Sequence, residues 1–410
     1  MSPLAKSIEL AERLHDVEAS PTLALAAKAK ALAKAGKPVL DFTVGEPDFP
    51  TPAAIKAAGI KAIEHNYTKY TPVAGIPELR KAIANHLAAR LGRPYADAEV
   101  MVSCGAKQAL YNALQVLCNP GDEVILLTPY WVSYKPLVLL AAATPVFVET
   151  KESDGFQPDP AAVKRAITPK TRAIILNSPS NPTGAVIEES RLRALAAVVK
   201  DARPDGSLFI ISDEIYDQIV FPPARSCSIV QVDPTLIDRT ILINGVSKSY
   251  SMTGWRIGYA AGPKHVIDAM INLQSHSTSN PASISQYAAL QALTGDQQDV
   301  QRMAVEFQRR RDRLVSGLNQ LTPLRCTVPG GAFYAWCNVS GLGQSADATA
   351  AQWLEDALVA TVPGEGFGAP GYIRFSFATS LEHIEEALKR LSQWMQTRKS
   401  SSAATATKRG

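Results

Sequence analysis

Short apolar segments that alternate with helical segments from about residue 100 constrain the fold of this chain more than any other feature. The helical segments include 108–117 and 191–199, whose apolar residues recur at helical spacing. Strands that alternate with helices build a mostly parallel sheet with helices on both faces. We therefore predict an open α/β domain, in which ligands bind beyond the carboxyl ends of the strands. The six predicted strands are 100–104, 123–127, 146–149, 172–176, 208–211 and 240–243.

The domain organisation follows from the length and from a change of pattern near residue 320. The chain has 410 residues, more than the about 250–300 at which a single core usually stops growing, so we expect two domains. Helices are predicted over 22–35 and 77–92, and a long polar helix lies around 301–320. Beyond it, strand patterns and a last helix over 382–396 indicate a smaller α+β domain. The expected division is an N-terminal segment (1–45) that joins the small domain, a large α/β domain (46–320), a small C-terminal domain (321–396) and a disordered tail (397–410).

Composition and charge argue against several classes of protein. The longest apolar run, 137–148, is interrupted by Thr144 and Pro145 and is shorter than the about 20 residues that span a bilayer, so no membrane segment is predicted. The first 35 residues contain no apolar core of a signal peptide, so a cytoplasmic location is expected. A net charge of +4, from 42 basic and 38 acidic residues, argues against nucleic acid as a partner. Five cysteines without a CxxC pair and six scattered histidines predict no metal site.

Polar residues follow the predicted strands where the carboxyl ends should meet. After the first strand, Gly105, Ala106 and Lys107 open a helix, and the free N–H groups of a helix start can bind a phosphate. A plain strand-to-helix turn has the same pattern. After the fifth strand, Asp213 and Tyr216 stand three residues apart and can converge on one small ring. The alternative is a helix N-cap and a half-buried tyrosine.

Two further strand ends carry candidate residues. The fourth strand leads into 177–184, a loop with two prolines, where a structural turn explains the prolines but not the repeated asparagine that includes Asn181. The sixth strand leads to Ser247 and Lys248, among small hydroxyl residues and glycines, with Arg256 eight positions later. A lysine that forms a Schiff base must be desolvated or near a cation, so that part of it is the neutral amine. An ordinary surface lysine is the other interpretation.

Taken together and in order, these segments resemble the motifs of the class I aminotransferases of PLP (pyridoxal 5'-phosphate) fold type I, in particular their bacterial aspartate aminotransferase branch. The resemblance spans about residues 20–396. It implies a large domain with a mostly parallel sheet flanked by helices, plus a smaller α+β domain. The motifs that carry it are Val44-Gly45-Glu46-Pro47-Asp48-Phe49, Tyr70 with Gly75-Ile76-Pro77-Glu78-Leu79-Arg80, Pro129-Tyr130-Trp131-Val132-Ser133-Tyr134, Asn181-Pro182-Thr183-Gly184, Asp213-Glu214-Ile215-Tyr216, Ser247-Lys248 with Arg256 and Gly258, Gly330-Gly331-Ala332-Phe333-Tyr334 and Arg374-Phe375-Ser376.

The resemblance implies PLP as the cofactor and a role for each residue around its ring. Lys248 would carry PLP as a Schiff base and then move the proton of the substrate Cα as a general acid and base. Asp213 would pair with the pyridine nitrogen. Tyr216 and Asn181 would hydrogen-bond the phenolic oxygen, and Trp131 would stack on the ring unless it is a core aromatic.

The resemblance also implies a shared phosphate site. Family members use a tyrosine from the neighbouring subunit, and Tyr70 stands at that motif position. A homodimer with shared active sites is therefore expected. An arginine presents a planar fork that suits phosphate oxygens. The phosphate ligands expected from the chain's own subunit are Gly105, Ala106, Lys107, Ser247 and Arg256.

The amino-acid substrate is expected to bind through its α-carboxylate. Arg374 alternates with Ile373 and Phe375 in an apolar stretch, so its side chain needs a partner. A carboxylate held by two hydrogen bonds is a suitable one, and a structural ion pair is the alternative. The resemblance implies that Gly45 lets the chain pass close to the same carboxylate. It also implies that Trp131 and Asn181 contact the substrate.

The substrate class depends on a second cation. The resemblance assigns the distal carboxylate of a dicarboxylic substrate to Lys107, which favours aspartate and glutamate with oxaloacetate and 2-oxoglutarate as partners. Glu18 occupies a position where relatives that accept prephenate often have a lysine, and this difference argues against prephenate and for a neutral or aromatic donor as the alternative. The alternatives to a dicarboxylic substrate are therefore aromatic, neutral or prephenate-type substrates. A PLP lyase would share the same site residues. A ligand-sensing regulator on this fold is disfavoured because it would carry a separate helix-turn-helix domain.

Overall fold

The computed structural model describes residues 11–17 and 21–407 of the chain, and the side chains of 11–17 and 25–398. Glu18 therefore lies outside the described residues. The strands are β1 (Leu40–Asp41), β2 (Val100–Ser103), β3 (Glu123–Thr128), β4 (Thr144–Glu149), β5 (Thr171–Asn177), β6 (Phe209–Asp213), β7 (Thr240–Gly245), β8 (Gly258–Ala261), β9 (Arg325–Cys326), β10 (Tyr334–Asn338), β11 (Val359–Ala360), β12 (Val362–Pro363) and β13 (Tyr372–Ser376). The helices are α1 (Pro21–Lys34), α2 (Ala53–Glu64), α3 (Pro77–Leu91), α4 (Ala106–Leu117), α5 (Tyr134–Leu140), α6 (Pro160–Ala166), α7 (Glu189–Ala202), α8 (Ile229–Val232), α9 (Lys264–Ser275), α10 (Ser283–Thr294), α11 (Gln298–Gln320), α12 (Ala346–Asp356) and α13 (Leu381–Thr407).

The predicted mostly parallel sheet is confirmed. Its strand order is β2-β8-β7-β6-β5-β3-β4, and all neighbours are parallel except the two pairs that include β8. Successive residues of β5 belong to different core clusters: Ile174 and Leu176 pack on one face, and Ala173 and Ile175 on the other. Because side chains alternate along a strand, this division means that both faces of the sheet are covered.

The antiparallel strand β8 was not predicted from the sequence. It is short, and its residues Gly258, Tyr259, Ala260 and Ala261 give little apolar signal. Gly258 is required at its start, since an added Cβ would lie 2.2 Å from the backbone nitrogen of Ala106. This close approach brings the beginning of α4 against the sheet beside the predicted phosphate turn.

Helix α3 illustrates how the sequence sets the bounds of an element. Pro77 occupies the first helical positions, where its missing N–H is tolerated. Gly92 ends the helix with a φ of 70°, in the left-handed region that favours glycine. The predicted stripe is buried against the large sheet, and each such leucine or isoleucine contributes about 1.5–3 kcal/mol on burial. Its members are Leu79, Ile83, Leu87 and Leu91.

A second, antiparallel sheet has the order β12-β13-β10-β9. Its core includes side chains of α11, α12 and α13, among them Leu318, Trp353 and Leu391. Strand β1 pairs in parallel with β11, so the segment after α1 is joined to the C-terminal part of the chain. The domain boundaries at 45, 320 and 396 stay a prediction. So does the disordered tail, into whose range α13 continues as far as Thr407.

The topology places the predicted site residues at one edge of the large sheet. Strands β2, β3, β5, β6 and β7 run in the same direction, so their carboxyl ends share this edge. Strand β13 of the second sheet faces it. No helix in the described part of the chain combines the length and the apolar character needed to cross a membrane.

Candidate functional site

A cavity of about 420 Å³ lies between the strand ends of the large sheet and the second sheet. Most of the residues predicted from the sequence meet in it. Tyr70 does not line the cavity of its own chain, and Gly105 lies just beside it. Polar and aromatic residues that line the cavity are Lys30, Thr43, Glu46, Lys107, Trp131, Tyr134, Asn177, Asn181, Asp213, Tyr216, Ser247, Lys248, Thr253, Arg256, Tyr334 and Arg374; Gly45 also lines it.

Lys248 projects from the segment after β7 into the cavity. Its Nζ donates a hydrogen bond of 2.6 Å to the carbonyl oxygen of Gly45. Burial lowers the pKa of Lys248 to about 8. The nearby charge of Glu46 raises this pKa, and the charges of Arg256 and Arg374 lower it. Roughly a tenth of this lysine is therefore a neutral amine at pH 7, far more than for an ordinary lysine, and a nucleophile or a proton acceptor requires this form.

The pH dependence of this amine is the first testable prediction. Acylation of Lys248 by acetic anhydride should increase with pH and level off above an apparent pKa of about 8, against an ordinary lysine pKa of 10.5. The pKa is lowered because burial disfavours the charged ammonium form. Mass spectrometry of the Lys248 peptide from the cofactor-free protein, over a range of pH, measures it. An acylation rate that keeps rising until the pH approaches the ordinary lysine pKa of 10.5 would show that the amine is not desolvated.

Asp213 is the last residue of β6 and is buried at the cavity wall. Its Oδ2 accepts a hydrogen bond of 2.7 Å from the hydroxyl of Tyr134, and its Oδ1 accepts one of 3.3 Å from the N–H of Ile215. Burial raises the pKa of Asp213 to about 6 in spite of these hydrogen bonds. No cationic side chain of the described residues forms an ion pair with it. The carboxylate can therefore pair with a cationic N–H group of a ligand.

Arg374 lies on β13 and is almost fully buried. It donates hydrogen bonds of 2.9 Å to Asn181 Oδ1 and 2.8 Å to the carbonyl oxygen of Thr43. Its guanidinium lies over the ring of Tyr334, 4.5 Å from the centroid. Burial lowers the pKa of Arg374.

No carboxylate within the described part of the chain forms an ion pair with Arg374, and its role as a carboxylate ligand stays a prediction. Its buried Nε has no hydrogen-bond partner there either. A buried guanidinium without a counterion is costly. The arrangement therefore suits an external carboxylate.

Two hydroxyl groups face each other beside Arg374. The hydroxyls of Tyr216 and Tyr334 are 2.9 Å apart, and both residues are buried. Burial raises the pKa of Tyr216 well above its ordinary value, so this hydroxyl stays protonated and can donate a hydrogen bond. Sequence reasoning assigned no role to Tyr334 or Tyr134, although both stand in motifs that carried the resemblance.

The turn after β2 has the features expected of an anion site. Gly105 precedes α4 with a φ of 82°, and an added Cβ would lie 2.5 Å from Nη2 of Arg256. Arg256 donates a 2.9 Å hydrogen bond to the carbonyl oxygen of Thr253, and Ser247 is buried nearby at the cavity wall. Free N–H groups at the start of α4, next to a guanidinium, suit a phosphate. The positive φ favours glycine here, and a side chain would also displace the Arg256 guanidinium.

Lys107 and Trp131 form the outer wall of the cavity. The Nζ of Lys107 lies 4.9 Å from the centroid of the Trp131 ring. Desolvation and the charge of Arg256 lower the pKa of Lys107. Trp131 packs edge-on against Tyr134, with 5.4 Å between centroids. Lys30 of α1 also lines the cavity, and its alanine-rich helix gave no sign of this in the sequence.

The described residues contain no group of histidine, cysteine, aspartate and glutamate side chains that could hold a metal ion. The cavity instead offers one nucleophilic amine, one buried carboxylate, an anion site and a buried arginine. This set of groups suits a phosphorylated, ring-shaped cofactor together with a carboxylate-bearing substrate.

Comparison with known proteins identifies the relatives of this chain. The family model described as "Aminotransferase class I and II" matches residues 37–391. An "Aspartate aminotransferase" of Geobacillus stearothermophilus is 47% identical over 396 residues, which cover 95% of this chain and 100% of that protein. An "Aspartate/prephenate aminotransferase" of Cereibacter sphaeroides is 47% identical over 392 residues, with 93% and 97% covered. Among solved structures, the aspartate aminotransferase of Thermus thermophilus with maleate has a TM-score of 0.89 at 42% identity, with 94% and 99% covered.

Proposed function

Because the chain belongs to the class I and II aminotransferase family, whose members depend on PLP, we propose that it transfers the amino group of aspartate or glutamate to a 2-oxo acid. The observation that carries the proposal is the convergence of Lys248, Asp213 and Arg374 on one cavity. The three residues come from distant parts of the chain. Their meeting provides an amine, a partner for a ring nitrogen and a partner for a carboxylate within one site.

The residues around the cavity fit PLP. When bound, PLP supplies an electron sink that stabilises negative charge at the substrate Cα. Asp213, which is buried and has no ion pair among the described residues, is suited to the pyridine N–H. The turn at Gly105 with Arg256 is suited to the phosphate. The amide of Asn181 and the hydroxyl of Tyr216 are suited to the phenolic oxygen.

Lys248 and Arg374 perform the substrate chemistry in this proposal. Lys248 is the residue that would hold the cofactor covalently, and its neutral amine would accept the proton from the substrate Cα. Arg374 binds the α-carboxylate and so orients the Cα–H bond toward this amine. Gly45 leaves room for the hydroxyl of Tyr334 at the cavity wall, because an added Cβ would lie 3.0 Å from it.

Lys107 is proposed to bind the distal carboxylate of a dicarboxylic substrate. It lies at the outer wall of the cavity, where Lys30 adds a second positive charge. The Thermus relative was solved with maleate, a four-carbon dicarboxylate. A screen of amino acids against the PLP-loaded protein, followed by cofactor absorbance, tests the proposal. Fastest conversion by aspartate and glutamate is expected, and a preference for phenylalanine over aspartate would overturn it.

Prephenate is a second candidate substrate. The relative from Cereibacter sphaeroides is named an aspartate/prephenate aminotransferase. Prephenate carries two carboxylates, so it would bind to the same two cations, Arg374 and Lys107. An assay with prephenate as the amino acceptor and glutamate as the donor tests this candidate.

The Lys107→Ala substitution provides a prediction on specificity. A charge-assisted contact with a carboxylate is worth roughly 1.5–3 kcal/mol, so kcat/KM for aspartate should fall about ten- to a hundredfold. The kcat/KM for alanine should hardly change, because alanine has no distal carboxylate. Lys264→Ala, which removes an exposed lysine paired with Asp268, is the matched control. Equal losses on all donors would assign Lys107 to the phosphate turn alone.

We also propose that the active unit is a homodimer in the cytoplasm. Tyr70 is 92% exposed, and Ile60, Ile63 and Tyr67 add exposed apolar surface in the same part of the chain. Surface of this kind marks protein interfaces. Sedimentation of the PLP-loaded protein should give a species of two chains, and a fully active monomer would contradict the shared site. Cell fractionation tests the location.

A further inference from the structure

The segment that carries Tyr70 is held by two buried glutamines. Residues 65–76 connect α2 to α3 without a helix or strand of their own. The Tyr70 side chain is 92% exposed. Before it, the carbonyl oxygen of Tyr67 accepts a 2.7 Å hydrogen bond from Ser283, and after it the chain is hydrogen-bonded to two buried glutamines. An exposed side chain on an ordered backbone segment can bind a partner outside its own chain.

Gln286 of α10 fastens this segment at two points. Its Oε1 accepts a 2.8 Å hydrogen bond from the N–H of Ile76, and its Nε2 donates one of 3.0 Å to Thr71 Oγ1. The same Nε2 donates one of 2.8 Å to the carbonyl oxygen of Pro281. The side chain of Gln286 is fully buried. Breaking these hydrogen bonds would therefore leave buried polar groups without partners, which raises the free energy.

Gln274 of α9 fastens the middle of the segment. Its Nε2 donates to the carbonyl oxygens of Val73 at 3.0 Å and Val102 at 2.9 Å, and its Oε1 accepts from Asn112 at 3.1 Å. Gln274 is also fully buried. Gly75 brings the segment close to the sheet, since its φ is 99° and an added Cβ would lie 2.4 Å from Cγ2 of Val102.

The geometry points to Gln286 and Gln274 as positioning residues that fix the 65–76 segment, so that Tyr70 is presented to the cofactor phosphate in the site of a second copy of this chain. This inference rests on the proposed shared site. A loose segment would lose conformational entropy each time Tyr70 met a phosphate, and that loss would weaken binding. A segment that is already ordered avoids this loss.

The test measures the dissociation constant of PLP by titration of the cofactor-free dimer. Thr71→Val keeps the shape of the side chain but removes the oxygen that accepts from Gln286. Gln286→Glu keeps the acceptor for Ile76 but loses both donated hydrogen bonds. Each should weaken PLP binding about two- to tenfold, the size of one neutral hydrogen bond. Thr294→Val, at an exposed position of α10 outside the 65–76 segment, is the matched control and should change nothing.

A double-mutant cycle with Tyr70→Phe separates the possible failures. Tyr70→Phe should itself weaken PLP binding, and Thr71→Val should add nothing further in that background, because its effect passes through Tyr70. An unchanged PLP affinity of Tyr70→Phe would refute the shared site itself. A weakened Tyr70→Phe with unchanged Thr71→Val and Gln286→Glu would overturn the positioning role alone, as would an equal Thr71→Val loss in both backgrounds. If Gln286→Glu does not fold, Thr71→Val decides the question.

Discussion

Replacing Lys248 with alanine is expected to lower the rate of transamination by at least about 10⁴-fold, the upper end of what proton transfer by one side chain contributes. The amine has two tasks in the proposed reaction, since it would bind the cofactor covalently and would move the Cα proton. No other amine in the cavity has the same position. Lys107 and Lys30 also line the cavity, but neither follows β7, and Lys107 lies at the outer wall against Trp131.

Borohydride reduction and peptide mapping measure the covalent part of this result. In the wild type, the label should appear on the Lys248 peptide, and in Lys248→Ala it should disappear. Lys264→Ala, which removes an exposed lysine of α9, is the control and should keep both label and activity. A label on any other lysine in the wild type would refute the assignment of the catalytic amine.

The large sheet could be predicted because its strands are buried on both faces. Residues such as Ile174 and Ile210 stand in short runs of apolar residues, and each run ends in a polar loop. The signal failed at β8, where Gly258 and two alanines replace branched side chains. At Gly258 a side chain is excluded because the turn at Gly105 and Ala106 approaches the backbone closely, and this tertiary requirement leaves no periodic pattern.

The site could be predicted where its residues follow strands, as Asp213 and Lys248 do. The hydrogen-bond partners of these two residues come from distant parts of the sequence. Tyr134 donates to Asp213 across 79 positions, and the carbonyl oxygen of Gly45 accepts from Lys248 across 203 positions. Such contacts depend on how the elements pack, so spacing in the sequence does not reveal them. The same holds for the contact of Tyr334, whose ring centroid lies 4.5 Å from the guanidinium of Arg374.

Replacing Arg374 with methionine is expected to lower kcat/KM by about 10²- to 10⁴-fold, because two charge-assisted hydrogen bonds of roughly 1.5–3 kcal/mol each are lost. The loss should be similar for every amino-acid donor, since all of them share the α-carboxylate. Arg374→Lys keeps the charge but not the planar fork, so it should retain part of the activity. Steady-state kinetics with aspartate, alanine and phenylalanine measure the effect.

The pattern across donors distinguishes this role from that of Lys107. Arg374 also donates to Asn181 and to the carbonyl oxygen of Thr43, so the methionine variant leaves two buried acceptors with one partner fewer. Thermal unfolding of both variants therefore has to accompany the kinetics. A loss confined to aspartate and glutamate would show that Arg374 binds the distal carboxylate instead. A loss common to all donors, with the selective loss in Lys107→Ala, would assign one cation to each carboxylate of the substrate.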